Sequence, residues 1–421
     1  MIDYYGRLVL MNTLLTLEPH CDGLFCEARS TGGGLHLVAG FTKPCPFLVS
    51  INIPSPPTNT SPVVTTGGPG RKPGEERSES MDQIKVGVVG CGFIGYRHAE
   101  IYKSMEDAEL VAVCDMDAER VEDAASLLGV KAFTSTEDMV SESDVQVVNV
   151  ATSASHSEPA IVAARAGKHV LVETPFAPTL EECDRMIETA EASGVNMMYV
   201  GSHRFASHNI KAKEIIDRGD VGEAVWITRE FNSQRVPGDA RWDRWRANGG
   251  GFFMRSGAIL IDQLRWLAGS DIEEVYTVGM GRYVAGGDGE DNGMATFRFK
   301  NGVVASLVGS AAHPGVGDSR WRLGGTEGMI EVDGSGRLRL GRGEWQDVPY
   351  LYQDDPVPEG FRNVTGAMGY WQFRTEFEEL IASIREKRPP SVTAYDGRAC
   401  TEGAIAVVKS HETGAPVRLP L

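Results

Sequence analysis

No apolar run in this chain approaches the roughly 18 residues that a membrane-spanning helix requires, so a membrane protein is not expected. The seven cysteines, an odd number, form no CxxC pair and no zinc-ligand spacing, a usage that fits a reducing compartment better than an oxidising one. HExxH and similar motifs are also missing, and no metal is expected. Basic residues are in deficit: 41 Lys and Arg face 58 Asp and Glu, for a net charge of −17. Nucleic-acid binding needs a basic face for phosphate contacts and is therefore disfavoured. The start lacks the basic and apolar regions of a secretory signal and has too few arginines for a transit peptide. A cytoplasmic protein is the expectation.

What is present is ordinary globular composition, 42% hydrophobic and 24% charged over 421 residues, enough for two domains with substantial cores. Residues 1–80 differ from the rest. They keep no clear period of 2 or 3.6, and residues 54–79 are rich in Pro, Gly, Ser and Thr, a composition that cannot offset chain entropy by burial. They hold seven acids against six bases, so nearly all the net charge lies beyond them. Residues 1–80 are expected to be a disordered leader, or translation begins at Met81; a small regulatory extension is the alternative.

From Ile84 the chain alternates strand and helix. Short branched runs at Ile84–Val89, Leu110–Cys114, Lys131–Phe133, Val145–Ala151, His169–Val172 and Val195–Val200 suit strands buried on both faces. Helical patterns separate most of them, which predicts a doubly wound parallel sheet of the Rossmann α/β type over 81–202. Gly90-Cys91-Gly92-Phe93-Ile94-Gly95 follows the first strand and opens a helix. There Gly90 permits the turn, Gly92 lets the backbone approach a pyrophosphate, and Gly95 allows helix and strand to pack. The helix N-terminus offers N–H groups to phosphates. Asp115 ends the second strand, 20 positions beyond Gly95, where a carboxylate holds ribose hydroxyls and repels a 2′-phosphate. Met116 and Asp117, not arginine, follow it, which favours NAD over NADP. Cys91 and Cys114, in the loop and in a core strand, suit a reducing compartment. An incidental glycine turn, with an Asp capping the next helix, is the bland alternative.

Beyond Gly201 strand-like runs separated by turns, such as Ala224–Phe231, Val275–Tyr283, Met294–Phe299 and Val303–Gly309, replace the alternation. A helical apolar stripe follows at Phe373, Phe377, Leu380, Ile381 and Ile384.

Ala151-Thr152-Ser153-Ala154-Ser155-His156 and Ala166-Gly167-Lys168-His169-Val170-Leu171-Val172-Glu173-Thr174-Pro175 give the resemblance its specificity. With the glycine loop, Gly249-Gly250-Gly251 followed by Asp262, and Gly325-Thr326-Glu327-Gly328, the chain resembles the Gfo/Idh/MocA sugar and cyclitol oxidoreductases. That resemblance implies a Rossmann domain, then an α+β C-terminal domain (203–421) with a large, open, mostly antiparallel sheet used for homo-oligomerisation. It also implies NAD contacts at Gly90, Gly92, Phe93, Ile94, Gly95, Asp115, Thr152, His156, Glu173 and Thr174. The family uses the lysine of an EKP motif and a DxxxH pair as its acid–base groups. Here Thr174 stands at the lysine, Arg255 at the Asp and Ile259 at the His, while Asp262 stays in register.

Isoleucine transfers no proton, and arginine stays protonated. His203 and Arg255, with Thr174, are the catalytic candidates; a merely packing or capping His203 is the alternative. Glu173 lies near the nicotinamide by resemblance, with a more structural than catalytic role there, and Tyr199 reads as core. Seven arginines between 229 and 265 (Arg229, Arg235, Arg241, Arg244, Arg246, Arg255, Arg265) suit an anionic substrate, and Trp242 and Trp245 suit ring stacking. Surface pairing and core packing explain both equally. Three functions stay open: an NAD-dependent oxidoreductase on a sugar, polyol or cyclic alcohol with atypical acid–base residues; a catalytically inactive NAD- or ligand-binding regulator or scaffold; and an NAD-retaining lyase, epimerase or glycosidase.

Overall fold

A computed structural model describes residues 83–152, 155–233, 250–283, 289–312, 317–351 and 366–421, with five short strands in the first 52 residues. Met1–Arg77 forms a unit of its own. In it Leu8–Leu10 pairs with Thr13–Leu15, and Leu24–Thr31, Gly34–Phe41 and Ser50–Asn52 form a second antiparallel sheet. Residues 54–79, the Pro- and Gly-rich stretch, and Met81 lie outside the described residues.

The second unit, Ser78–Leu421, begins with alternating strands and helices. These are β1 (Ile84–Val89), α1 (Phe93–Ser104), β2 (Ala108–Cys114), α2 (Ala118–Leu128), β3 (Lys131–Phe133) and α3 (Thr136–Glu142). Then come β4 (Val147–Val150), α4 (Ser157–Arg165), β5 (His169–Val172), α5 (Leu180–Ser193) and β6 (Met197–Tyr199). The strands pair in parallel in the order β6-β5-β4-β1-β2-β3, the doubly wound arrangement expected. β4 is buried throughout and β1 nearly so, because helices cover both sheet faces. Helix α3 was not expected from the sequence. Ser135 caps it and Glu137 and Asp138 fill its first turn, yet two buried residues, Thr136 and Met139, make no periodic stripe.

After α6 (Ser202–Phe205) and α7 (Ser207–Asp217) comes β7 (Ala224–Asn232). A π-helical turn (Phe253–Gly257) leads into α8 (Ala258–Ala268), followed by β8 (Ile272–Gly281), β9 (Asn292–Phe299) and β10 (Val304–Ser310). Strands β11 (Asp318–Gly325), β12 (Met329–Val332), β13 (Leu338–Arg342) and β14 (Glu344–Asp347) precede α9 (Gly366–Arg385), α10 (Ala394–Thr413) and β15 (Val417–Arg418). The sheet order is β14-β13-β12-β11-β7-β10-β9-β8-β15, and only β7 and β10 among these pairs run parallel. This is the large, mostly antiparallel sheet that the resemblance implied.

Burial alternates along β9 and β10, so one face packs on the core and the other is open. Helix α10 covers the inner face of β8: Ser410 Oγ accepts the Thr277 N–H at 2.9 Å, and Thr277 Oγ1 donates to Val407 O at 2.7 Å. Helix α9 closes back on α1, where Phe377 stacks on Tyr102 at 4.2 Å between ring centroids. Such a pair contributes about 1 kcal/mol beyond its burial, and it holds the C-terminal half against the nucleotide-binding half. Among the described residues, no helix is long and apolar enough to cross a membrane, and no cluster of three His, Cys, Asp or Glu could hold a metal.

Candidate active site

A cleft of about 910 Å³ opens beyond the carboxyl ends of β1 and β4, where the strand order reverses. Ligands of open α/β sheets bind at this place because the first turns of helices on opposite faces diverge there.

At one end the glycine loop forms a phosphate cradle. Gly90 has φ +98°, a conformation that side chains resist, and a Cβ at Gly92 would meet nothing within 4 Å. A Cβ at Gly95 would lie 1.8 Å from Gly90 O, so the loop folds over α1 only because that position is bare. Helix α1 has no side-chain cap and no acid in its first turn. Helices α2, α3 and α5, by contrast, are capped by Asp117, Ser135 and Thr179. The uncapped N–H groups of α1 keep their partial positive charge for an anion. Phe93, Ile94 and Thr152 line the cleft, and Gly95 lies beneath it.

Asp115 also lines the cleft, and its carboxylate is oriented before any ligand arrives. Oδ2 accepts the Cys91 N–H at 2.8 Å, and Oδ1 accepts the Asp117 N–H at 3.0 Å. Arg120, absent from the sequence reasoning because it sits five positions on in α2, approaches Oδ1 at 3.4 Å and pairs with Asp117. These carboxylates oppose a 2′-phosphate while leaving ribose acceptors available. NADP is therefore expected to bind at least about tenfold more weakly than NAD. Asp115→Ser, which removes one of the two carboxylates beside Arg120, should bring the two dissociation constants within a few-fold in fluorescence titrations.

The other end gathers the residues around Pro175. The Thr174 N–H donates to Glu173 Oε2 at 2.7 Å, and Thr174 Oγ1 donates to Arg255 O at 3.3 Å. Tyr199 donates its hydroxyl to Thr174 Oγ1 at 3.0 Å, so it is more than the core residue expected. Arg255, in the π-helical turn, and Ile259, one turn on in α8, line the cleft beside Thr174. Thr174, Arg255 and Ile259, where the resemblance implies the family's Lys, Asp and His, are thus brought together in the cleft. Glu173 is a buried carboxyl in the wall, and burial pushes it up to about 7 against the opposing pull of the Thr174 N–H and Arg255.

His203 also lines the cleft, yet burial, with Arg229 and His208 nearby, pulls its imidazole down to about 3. These surroundings favour the neutral form of the ring. His156 lies behind the cleft wall, not in it: its ring nitrogens face Pro175 O at 2.6 Å and Thr152 O at 2.8 Å. Its part at the cofactor is to shape the loop. Of the seven arginines, Arg229 is buried against Gln263 and Ser319, and Arg265 pairs with Asp271 and Asp396. Arg255 reaches the cleft, whereas Arg235, Arg241, Arg244 and Arg246, with Trp242 and Trp245, lie outside the described residues.

Two contributors went unrecognised in the sequence: His98 of α1, with Nε2 3.5 Å from Glu173 Oε1, and the fully buried Glu376 of α9. Glu376 had a readable signal, as an acid on the Phe373–Phe377 stripe. The residues present fit NAD at the glycine loop and Asp115.

Comparison with known proteins agrees with this geometry. A family model described as an oxidoreductase family with an NAD-binding Rossmann fold matches residues 84–202, and its C-terminal domain model matches residues 209–331. The chain is similar to myo-inositol 2-dehydrogenase of Thermotoga maritima, 28% identical over 345 residues, covering 80% of this chain and 98% of that protein. It is also similar to scyllo-inositol 2-dehydrogenase (NAD(+)) of Bacillus subtilis, 28% identical over 350 residues, covering 80% and 96%. The crystal structure of a probable dehydrogenase from Thermotoga maritima superposes with a TM-score of 0.68 at 26% identity, covering 80% of this chain and 99% of that one. This chain belongs to the Gfo/Idh/MocA family of NAD-binding oxidoreductases.

Proposed function

We propose that the protein is an NAD-dependent dehydrogenase that oxidises a CH–OH group of a sugar, polyol or related cyclic alcohol, with rearranged acid–base groups. The observation that carries this reading is the cleft itself. One end is an uncapped helix N-terminus under an oriented aspartate, and the other gathers Glu173, Thr174 and Arg255 around one spot. The inositol dehydrogenases among its relatives point to the same substrate class.

NAD, when bound, accepts two electrons and one hydrogen from the carbinol carbon. The protein must position the hydroxyl and manage its proton. Thr174 Oγ1, held by Tyr199 and Arg255 O, is placed to orient a hydroxyl. Arg255 supplies positive charge where an alkoxide develops, and it favours substrates carrying a carboxylate or phosphate. The open outer face of the C-terminal sheet exposes Tyr276, Val278, Met294, Val304 and Val308, which supports a homo-oligomer.

A second reading, a binding protein without turnover, is favoured by Ile259, an apolar carbon facing the cleft where the family has histidine. One assay separates them. The chain saturated with NAD is offered inositols, hexoses and uronates, and absorbance at 340 nm is followed together with product analysis. Net NADH with at least one alcohol is expected. Nucleotide binding without turnover across the panel would identify a binding protein, and conversion at constant absorbance a redox-neutral enzyme.

A further inference from the structure

We propose that Glu173 is the group that takes the substrate's hydroxyl proton, and that His98 positions that proton by switching tautomer. This rests on the dehydrogenase reading above. Glu173 lies in the cleft wall next to Thr174, and its two oxygens have different surroundings. Oε2 is engaged by the Thr174 N–H, while Oε1 faces His98 Nε2 at 3.5 Å. His98 is fully buried, its Nε2 has no hydrogen-bond partner, and Glu173 Oε1 lies 3.5 Å from it.

The other side of the ring explains how both charge states of Glu173 are accommodated. His98 Nδ1 lies 3.3 Å from Asn149 Oδ1 and 3.1 Å from Asn149 Nδ2. A carboxamide can accept from Nδ1 or donate to it after a small rotation. With Glu173 ionised, His98 Nε2–H points to Oε1 and Nδ1 accepts from Asn149. With Glu173 protonated, Oε1–H points to Nε2 and Nδ1–H donates to Asn149 Oδ1. Neither state requires a buried imidazolium, and burial does hold His98 down at about 4.

The groups facing Glu173 complete the setting. Arg255 of the π-helical turn favours the carboxylate, as does the Thr174 N–H. Glu376 of α9 faces it, and burial, with Glu173 nearby, holds Glu376 well above the usual carboxylate range. Tyr199 stays protonated because it is buried. Burial dominates for Glu173 and raises it to about 7, the value a group needs to accept and release a proton at neutral pH. The carbinol loses one proton to Glu173 Oε1, and two electrons with one hydrogen to the bound nucleotide, leaving a carbonyl. No further co-reactant is needed. Oxidation should rise with pH through about 7, because the carboxylate is the acceptor, and carbonyl reduction should fall over the same range.

The test uses the full chain labelled with 15N-histidine, nucleotide-free and NAD-saturated, titrated from pH 5 to 9. His98 is expected to remain neutral and to exchange tautomers with a midpoint near that of Glu173, and Glu173→Gln should freeze one tautomer. An unchanged tautomer across the titration overturns the proposal. With myo-inositol as substrate, Glu173→Gln should lower kcat at pH 8 by about 10²–10⁴-fold and abolish the acidic limb. Its thermal denaturation midpoint should stay within a few degrees of the wild type, which shows that it folds. A Glu173→Gln variant as active as the wild type overturns this proposal alone, whereas wild-type protein inert on the whole panel overturns the dehydrogenase reading.

Discussion

Gly95→Val is expected to abolish NAD binding, raising the dissociation constant beyond about 100-fold or preventing folding of the loop. The reason is contact with backbone, which cannot rotate away. The new Cβ would stand 1.8 Å from Gly90 O and 3.3 Å from the Ala151 side chain. Relief requires α1 to move off β1, carrying its free N–H groups away from the phosphate position. A helix N-terminus acts over about one turn, so a shift of an ångström or two removes both its hydrogen bonds and most of its field. Gly92→Ala is the contrasting control, since a Cβ there enters open space in the protein. It should fold normally and lose affinity only when the pyrophosphate arrives. Thermal denaturation with and without NAD separates the two: ligand-induced stabilisation should vanish in both, and intrinsic stability should fall only in Gly95→Val.

Asp262→Ala should produce the largest loss of stability, about 3–5 kcal/mol, in the range found when one partner of a buried ion pair is removed. Asp262 is fully buried, and Arg204 donates Nε to its Oδ2 at 2.7 Å and Nη2 to its Oδ1. Arg204 also reaches Asp396 at 3.1 Å, which Arg265 shares at 3.1 Å before pairing with Asp271 at 2.7 Å. The network joins α6, α8 and α10. Removing Asp262 leaves a largely buried guanidinium, its side chain 11% exposed, half-paired. The surface pair Lys85–Asp144, with side chains 37% and 62% exposed, shows how burial decides the magnitude: breaking it should leave stability almost unchanged. Chemical denaturation of the two alanine variants checks both values. Similar losses would mean that the buried network is well solvated.

Local spacing carried much of this reading. The glycine loop, Asp115 and the alternation of short branched strands with helices are legible because they depend on residues within one turn or one βα unit. The element limits moved by two or three residues, as at Ala108–Cys114, because strand ends are set by pairing with neighbours. His203 shows the limit of that reading. Its place at the carboxyl edge of the sheet was foreseeable from chain order, whereas the surroundings that favour its neutral form come from elements packed around it.

By itself, the sequence determined the fold class, the dinucleotide loop and the acid after the second strand. Period, turn chemistry and spacing act over short stretches of chain, and each states its preference locally. Only the tertiary structure decided which groups meet across long separations: His98 with Glu173, Tyr199 with Thr174, Arg204 with Asp262. Proton affinity in the cleft belongs to the same class. It is fixed by how much water and which charges surround a group, and packing alone sets both.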